Sequence, residues 1–162
     1  VTGLHRTWLA RDGGSKAPVD TQRKAMGDLL GHAVRFGVAK EVMAAGEGIE
    51  TVLSLRQALP KMPMVAALSA GHLAALLFPA HLRRLYIVRD NDPAGDGARD
   101  SLIARAHEAG IEALTLSPMA GDFNDDLTTR GLDAIRAHIR VQLAPEDVSR
   151  FSGTDPLMRR RG

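Results

Sequence analysis

The chain is predicted to fold as an α/β domain, a mainly parallel sheet flanked by helices with a small strand-rich segment in front of it. Three observations carry that expectation. From residue 41 onward short apolar runs of β type alternate with helical patterns, which implies parallel strands joined by right-handed crossovers. Prolines and glycines stand where those helical patterns begin and end. A length of 162 residues with 44% hydrophobic content is enough for one buried core.

Taken in order, residues 1–40 form the N-terminal strand-rich segment: 4–9 is β-like, Asp12-Gly13-Gly14 is a turn, and 33–36 is a second extended run. The main domain spans 41–145. Within it 41–45 is a short apolar strand, and 49–59 is a helix that stops before Pro60 because proline disfavours helical geometry in the residue preceding it. A strand at 65–68 and an apolar helix around 73–77 follow. Residues 85–88, preceded by Arg83-Arg84, form the clearest buried strand, and 93–109 the clearest helix, ended by Gly110 at the position of a left-handed cap. A further strand at 113–116 precedes the acidic stretch 122–126, and 132–143 closes the domain as a helix with Ile135 and Ile139 on one face. Residues 146–162, rich in arginine and without apolar periodicity, read as a flexible basic tail.

Composition narrows the chemistry. The absence of cysteine removes disulfides, thiolate zinc sites and cysteine nucleophiles, and suits a reducing compartment. No apolar run approaches the roughly 18 residues of a membrane span and no signal peptide is recognisable, so the expected location is cytoplasmic. The chain starts at Val1, which reads either as an excerpt from a longer protein or as an unusual initiation codon. Net charge is +2 but unevenly spread: residues 1–40 hold seven Lys and Arg against three Asp and Glu, and residues 41–149 hold ten against fifteen. A basic flank beside an acidic middle suits a carboxylate metal site in a molecule that approaches phosphates.

In a sheet of this kind ligands collect beyond the carboxyl ends of the strands, and the acids fall there. Glu47 sits between Gly46 and Gly48 after the first core strand, where glycines permit a tight turn and close approach by a phosphate. Asp90 and Asp92 follow the strand at 85–88, with Gly95 behind them; Asp122, Asn124 and Asp125 follow the last core strand. Clustered carboxylates repel one another unless a cation neutralises them, and hard oxygen donors suit magnesium or manganese. Each piece also has a plain structural role: Asp92-Pro93 fits a helix N-cap followed by proline at the first helical position, and Glu47 and 122–126 taken singly fit solvated turns. A calcium loop starting at Asp90 is excluded, because Ala94 and Ser101 stand where two of its ligands belong.

Gly46-Glu47-Gly48-Ile49-Glu50-Thr51, then Ile87-Val88-Arg89-Asp90-Asn91-Asp92-Pro93-Ala94-Gly95, resemble the two motifs of the Toprim family, shared by bacterial primases, topoisomerases, recombination-mediator proteins and overcoming-lysogenization-type nucleases. Gly121-Asp122-Phe123-Asn124-Asp125-Asp126-Leu127 resembles a further acidic motif of primases and of primase-helicases from phages and mobile elements. Residues 3–9, 16–17 and 31–35 resemble the stretch that precedes the domain in primases of plasmids and conjugative elements. The resemblance implies a Rossmann-like fold, DNA and nucleotides as partners, and magnesium or manganese as cofactor. It further implies Glu47, Asp90 and Asp92 as the catalytic residues at the metal site, with Glu47 also the proton-transferring group of nucleotidyl transfer and Asp90 and Asp92 holding the metal, and Asp122 and Asp125 as secondary metal or nucleotide contacts. Arg6, Lys16, Arg23 and Lys24 are the candidates for phosphate contacts. One departure stands out: many primases carry an aspartate four residues after the glutamate, where this chain has Thr51, with Glu50 just before it.

Absences sort the family's members. The sole tyrosine, Tyr86, lies inside an apolar strand, which speaks against a topoisomerase; the lack of cysteine speaks against a zinc-bearing recombination mediator; no G-x-x-x-x-G-K-[ST] loop accompanies the domain. A primase type remains, whose zinc-binding domain and helicase would lie elsewhere in a longer polypeptide. The alternatives are a Toprim nuclease, a non-catalytic binding module, and, outside the family, a magnesium-dependent glycosyltransferase carrying a DxD motif.

Overall fold

The computed structural model describes residues 2–152. β1 (Gly3–Thr7) and β2 (Arg23–Gly27) make a two-stranded antiparallel ribbon, with Gly3 opposite Gly27 and Thr7 opposite Arg23. The main sheet has five strands in the order β3-β5-β4-β6-β7: β3 (Val34–Phe36), β4 (Val42–Gly46), β5 (Met64–Ala66), β6 (Arg84–Val88) and β7 (Glu112–Leu116). β3 runs antiparallel to β5, and the other four strands are parallel. The expected α/β class with a mainly parallel sheet is therefore the one observed.

Helices cover both faces, and the pleat of the strands shares out the apolar residues between them. Val42, Ala44, Tyr86 and Val88 point to a layer built with α1 (Ile49–Ala58), α4 (Phe123–Arg130), α5 (Leu132–Arg140) and α6 (Pro145–Phe151), through Val52, Leu55, Phe123, Ile135, Ile139 and Phe151. Met43, Ala45, Leu85 and Ile87 point the other way, to α2 (Ala70–Ala74) and α3 (Pro93–Glu108), through Leu73, Leu102 and Ala106. β4 is buried along its whole length because it lies at the centre of the sheet. No described helix is long and apolar enough to cross a membrane.

The chain leaves β4 through α1 for β5 on one side, and leaves β6 through α3 for β7 on the other. The winding thus reverses between β4 and β6, and a crevice opens there beyond their carboxyl ends.

Several expectations are corrected. β3 lies within the N-terminal segment yet joins the main sheet, and β2 was not anticipated, being exposed at every residue with no apolar alternation to reveal it. The acidic stretch opens α4, with Phe123 fully buried beneath it. The boundary at 145 falls inside α6, so 146–151 belong to the fold: Phe151 and Asp147 are buried, and Asp147 accepts hydrogen bonds from Arg84 Nη1 at 2.7 Å and the Tyr86 hydroxyl at 2.8 Å. A buried ion pair and a buried ring override the polar composition that suggested a tail. The remainder of that expectation, 153–162, lies outside the described residues.

Candidate functional site

Glu47 occupies the turn between β4 and α1 and is stitched to the neighbouring strand's loop by backbone bonds. Ala67 N–H donates to Gly46 O at 2.9 Å and Leu68 N–H to Glu47 O at 2.8 Å. Leu68 does this with φ 76°, a left-handed conformation that a branched side chain rarely adopts. Burial raises the Glu47 pKa and the charge of Asp92 adds to that, while the Ala70 N–H and Arg23 pull the other way.

Asp90 follows β6. Its Oδ1 is buried and has no hydrogen-bond partner among the described residues. Burial first, and then the charges of Asp122, Glu47 and Asp92, push its pKa up to about 6, against a stabilising contribution from the Thr51 hydroxyl. Three carboxylates, from the turn after β4, the loop after β6 and the start of α4, therefore act on Asp90 across the crevice.

Two of the four also cap helices, as the plain reading of Asp92-Pro93 anticipates. Asp92 Oδ1 accepts from Gly95 N–H at 2.7 Å with Pro93 in the first turn of α3. Asp122 Oδ1 accepts from Asp125 N–H at 2.8 Å at the start of α4, and its Oδ2 accepts from Thr51 Oγ1 at 3.1 Å. Asp125 itself is exposed, with its carboxylate near Gly121, and it is not among the charges that act on Asp90. Glu50 is likewise exposed, in the first turn of α1.

The loops carrying these acids are tied together. Asn91 N–H donates to Gly121 O at 2.8 Å, the Asn91 side-chain amide donates to Ala120 O, and Arg89 Nη1 donates to Asn91 Oδ1 at 2.5 Å. Asp126, fully buried, accepts from the N–H groups of Met119 at 2.7 Å and Ala120 at 3.0 Å. Sequence reasoning passed over Asn91 and Asp126; an aspartate directly ahead of an apolar residue, as in Asp122-Phe123, was the available N-cap signal.

The glycines serve close packing rather than unusual dihedrals. None of Gly46, Gly48 and Gly95 has positive φ. A Cβ on Gly95 would stand 2.7 Å from Asp90 O, and one on Gly46 would stand 2.8 Å from Val52 Cγ2. It is the protein's own backbone and side chains that approach here.

Of the basic candidates, Arg23 is the one whose charge reaches the acidic edge, at Glu47. Arg6 and Lys24 are register partners and so share the other face of the ribbon, with the Arg6 guanidinium 5.5 Å from the Trp8 ring centre. Lys16 is exposed, bridged to Leu9.

Among the described residues no three His, Asp or Glu side chains converge as a ready-made metal cage. Magnesium uses one or two carboxylates and completes its shell with water and phosphate oxygens. A partnerless carboxylate oxygen within electrostatic reach of three further carboxylates fits such an open site, whereas a closed structural site is not formed among the described residues.

Comparison with known proteins identifies the family and the fold. A family model for the Toprim domain matches residues 42–133, and one for a domain of unknown function (DUF7146) matches residues 1–36. No curated protein matches the chain. Among solved structures, the Aquifex aeolicus primase (zinc binding and RNA polymerase domains) is similar with TM-score 0.61 and 20% identity over 88% of this chain and 37% of that one. A DNA primase domain from Pseudomonas aeruginosa gives 0.56 and 17% over 87% and 51%. The RNA polymerase domain of Mycobacterium tuberculosis primase DnaG gives 0.54 and 20% over 99% and 63%. The likeness is one of fold, and this chain spans less than two thirds of the length of each.

Proposed function

The chain belongs to the Toprim domain family, and from that premise we propose that it is the catalytic domain of a primase-like protein, carrying out magnesium- or manganese-dependent nucleotidyl transfer on a DNA template. The observation that carries this reading is the buried, partnerless Asp90 Oδ1 at the point where the winding of the sheet reverses, facing the charges of Glu47, Asp92 and Asp122.

Asp90 and Asp92 would hold the divalent ion, with Asp122 beside them. When bound, the ion supplies charge neutralisation at phosphate oxygens. Glu47, its pKa raised by burial, is suited to accept the proton of an attacking hydroxyl and to return it to a leaving group. Arg23, whose charge reaches Glu47, would meet a phosphate, and Arg6 and Lys24, which share the other ribbon face, would follow a strand along it. The primase-type neighbours support DNA and nucleotides as partners; a helicase or zinc-binding domain in a longer polypeptide and a cytoplasmic location are further parts of the proposal. Lys16 and Asp125 are peripheral contacts in this reading.

A second reading, a binding module without turnover, is favoured by Thr51, which stands four residues after Glu47 where many primases carry an aspartate. Manganese titration by calorimetry separates them, comparing wild type with Asp90→Asn and Glu47→Gln. Saturable binding that Asp90→Asn abolishes is expected, followed by primer synthesis by the full-length protein that Glu47→Gln removes. Binding without synthesis in the full-length protein would select the module; identical titrations of all three proteins would overturn the metal reading.

A further inference from the structure

Thr51 is only 3% exposed and lies in the first turn of α1, four residues after Glu47. Its hydroxyl donates to Asp122 Oδ2 at 3.1 Å across a sequence separation of 71 residues. The same hydroxyl is near enough to the Asp90 carboxylate to favour its charged form. It therefore stands between two carboxylates that repel each other, and it brings no charge of its own. One turn further along α1, Ser54 Oγ donates to Asn124 Oδ1 at 3.3 Å, so α1 grips the start of α4 at two points. The remaining oxygen of Asp122 is engaged by the α4 cap, which leaves the Thr51 bond as the contact that sets how Asp122 faces the crevice.

We propose that Thr51 is a positioning residue that fixes Asp122 beside Asp90 and so sets the cation affinity of the acidic edge. This rests on the cation reading above. A hydrogen-bond donor of this kind orients a carboxylate without touching the ion, and removing such partners typically weakens metal affinity about 10- to 100-fold. A donor is needed here, but an acid in its place would add a like charge next to two existing ones.

The test is manganese affinity, read by calorimetry and by electron paramagnetic resonance of free manganese, with melting in metal-free buffer as the check on folding. Thr51→Val keeps the shape and removes the donor, and it is expected to weaken manganese binding at least about tenfold. Thr51→Ser restores the donor and is expected to return wild-type affinity. Thr51→Ala is a second donor-free variant should the valine fail to fold. In the double variant Thr51→Val with Asp122→Asn, affinity is expected to match Asp122→Asn alone, because Thr51 acts through Asp122. Wild-type affinity in Thr51→Val or Thr51→Ala, or losses that simply add in the double variant, would overturn the proposal while leaving the metal site standing. Absence of manganese binding to the wild type would overturn both.

Discussion

Asp147 at the amino edge of the main sheet and Asp90 at its carboxyl edge each withdraw a carboxylate oxygen from solvent, and they are treated in opposite ways. At the amino edge Asp147, 1% exposed, accepts from Arg84 at 2.7 Å and from Tyr86 at 2.8 Å, and Arg84 reaches on to Glu112 at 2.7 Å and Glu146 at 2.6 Å. At the carboxyl edge Asp90 keeps a buried oxygen without a partner and faces three more carboxylates. A buried acid whose partners are supplied by the protein closes the structure. A half-buried acid with one buried oxygen left unpartnered is held at a cost to stability, which makes sense if the partner arrives from outside.

The largest test of this contrast is Arg84→Met. Removing one member of a buried pair leaves Asp147 with an uncompensated charge, and a loss of about 3–5 kcal/mol in urea unfolding is expected. Manganese affinity measured on the folded fraction should not change, since the pair lies at the other edge of the sheet.

Next comes Asp90→Asn, with the opposite sign. The folded-state pKa of Asp90, about 6, lies above the ordinary 3.8, so between those values the folded protein holds a proton that the unfolded chain has already released. Stability contributed by this group is therefore greatest below about pH 4 and falls as pH rises towards 6. In metal-free buffer at pH 7 the asparagine variant should be more stable than wild type by roughly 1–2 kcal/mol, after allowing for the solvent-exposed part of the carboxyl. Urea midpoints of the two proteins should draw apart as pH is raised from 4 to 7. Parallel curves would mean that the acidic edge is as well compensated as the amino edge.

The smallest effect sharpens the comparison from within the amino edge. Arg83 and Glu41 approach to 3.7 Å there, with side chains 81% and 54% exposed. Arg83→Ala should change stability by less than about 0.5 kcal/mol, which separates burial from mere charge pairing as the source of the Arg84 effect.

What the sequence disclosed follows the same division. β4, α1, β6, α3 and β7 were legible because apolar runs, Pro60, Pro93 and Gly110 mark them locally, and the positions of Glu47, Asp90 and Asp92 followed from the strands that precede them. α6 was not legible, because its hold on the fold is a bond between residues 63 positions apart. β2 exists only as a partner for β1, with no buried face to imprint on its composition. In the candidate site, Glu47, Asp90, Asp92 and Asp122 were readable from their types and spacing, and the buried Asp126 was not. The neutral groups that arrange them, Thr51 and Asn91, were not, since a threonine or asparagine reports its role only through residues that folding brings beside it.

The tie between Asn91 and the backbone of Ala120 and Gly121 joins the loops after β6 and β7 into one piece. Bringing two acidic loops together costs conformational entropy, and here that loss falls on folding, once, instead of recurring with every ligand that binds. A ligand of this edge would then meet loops already in place.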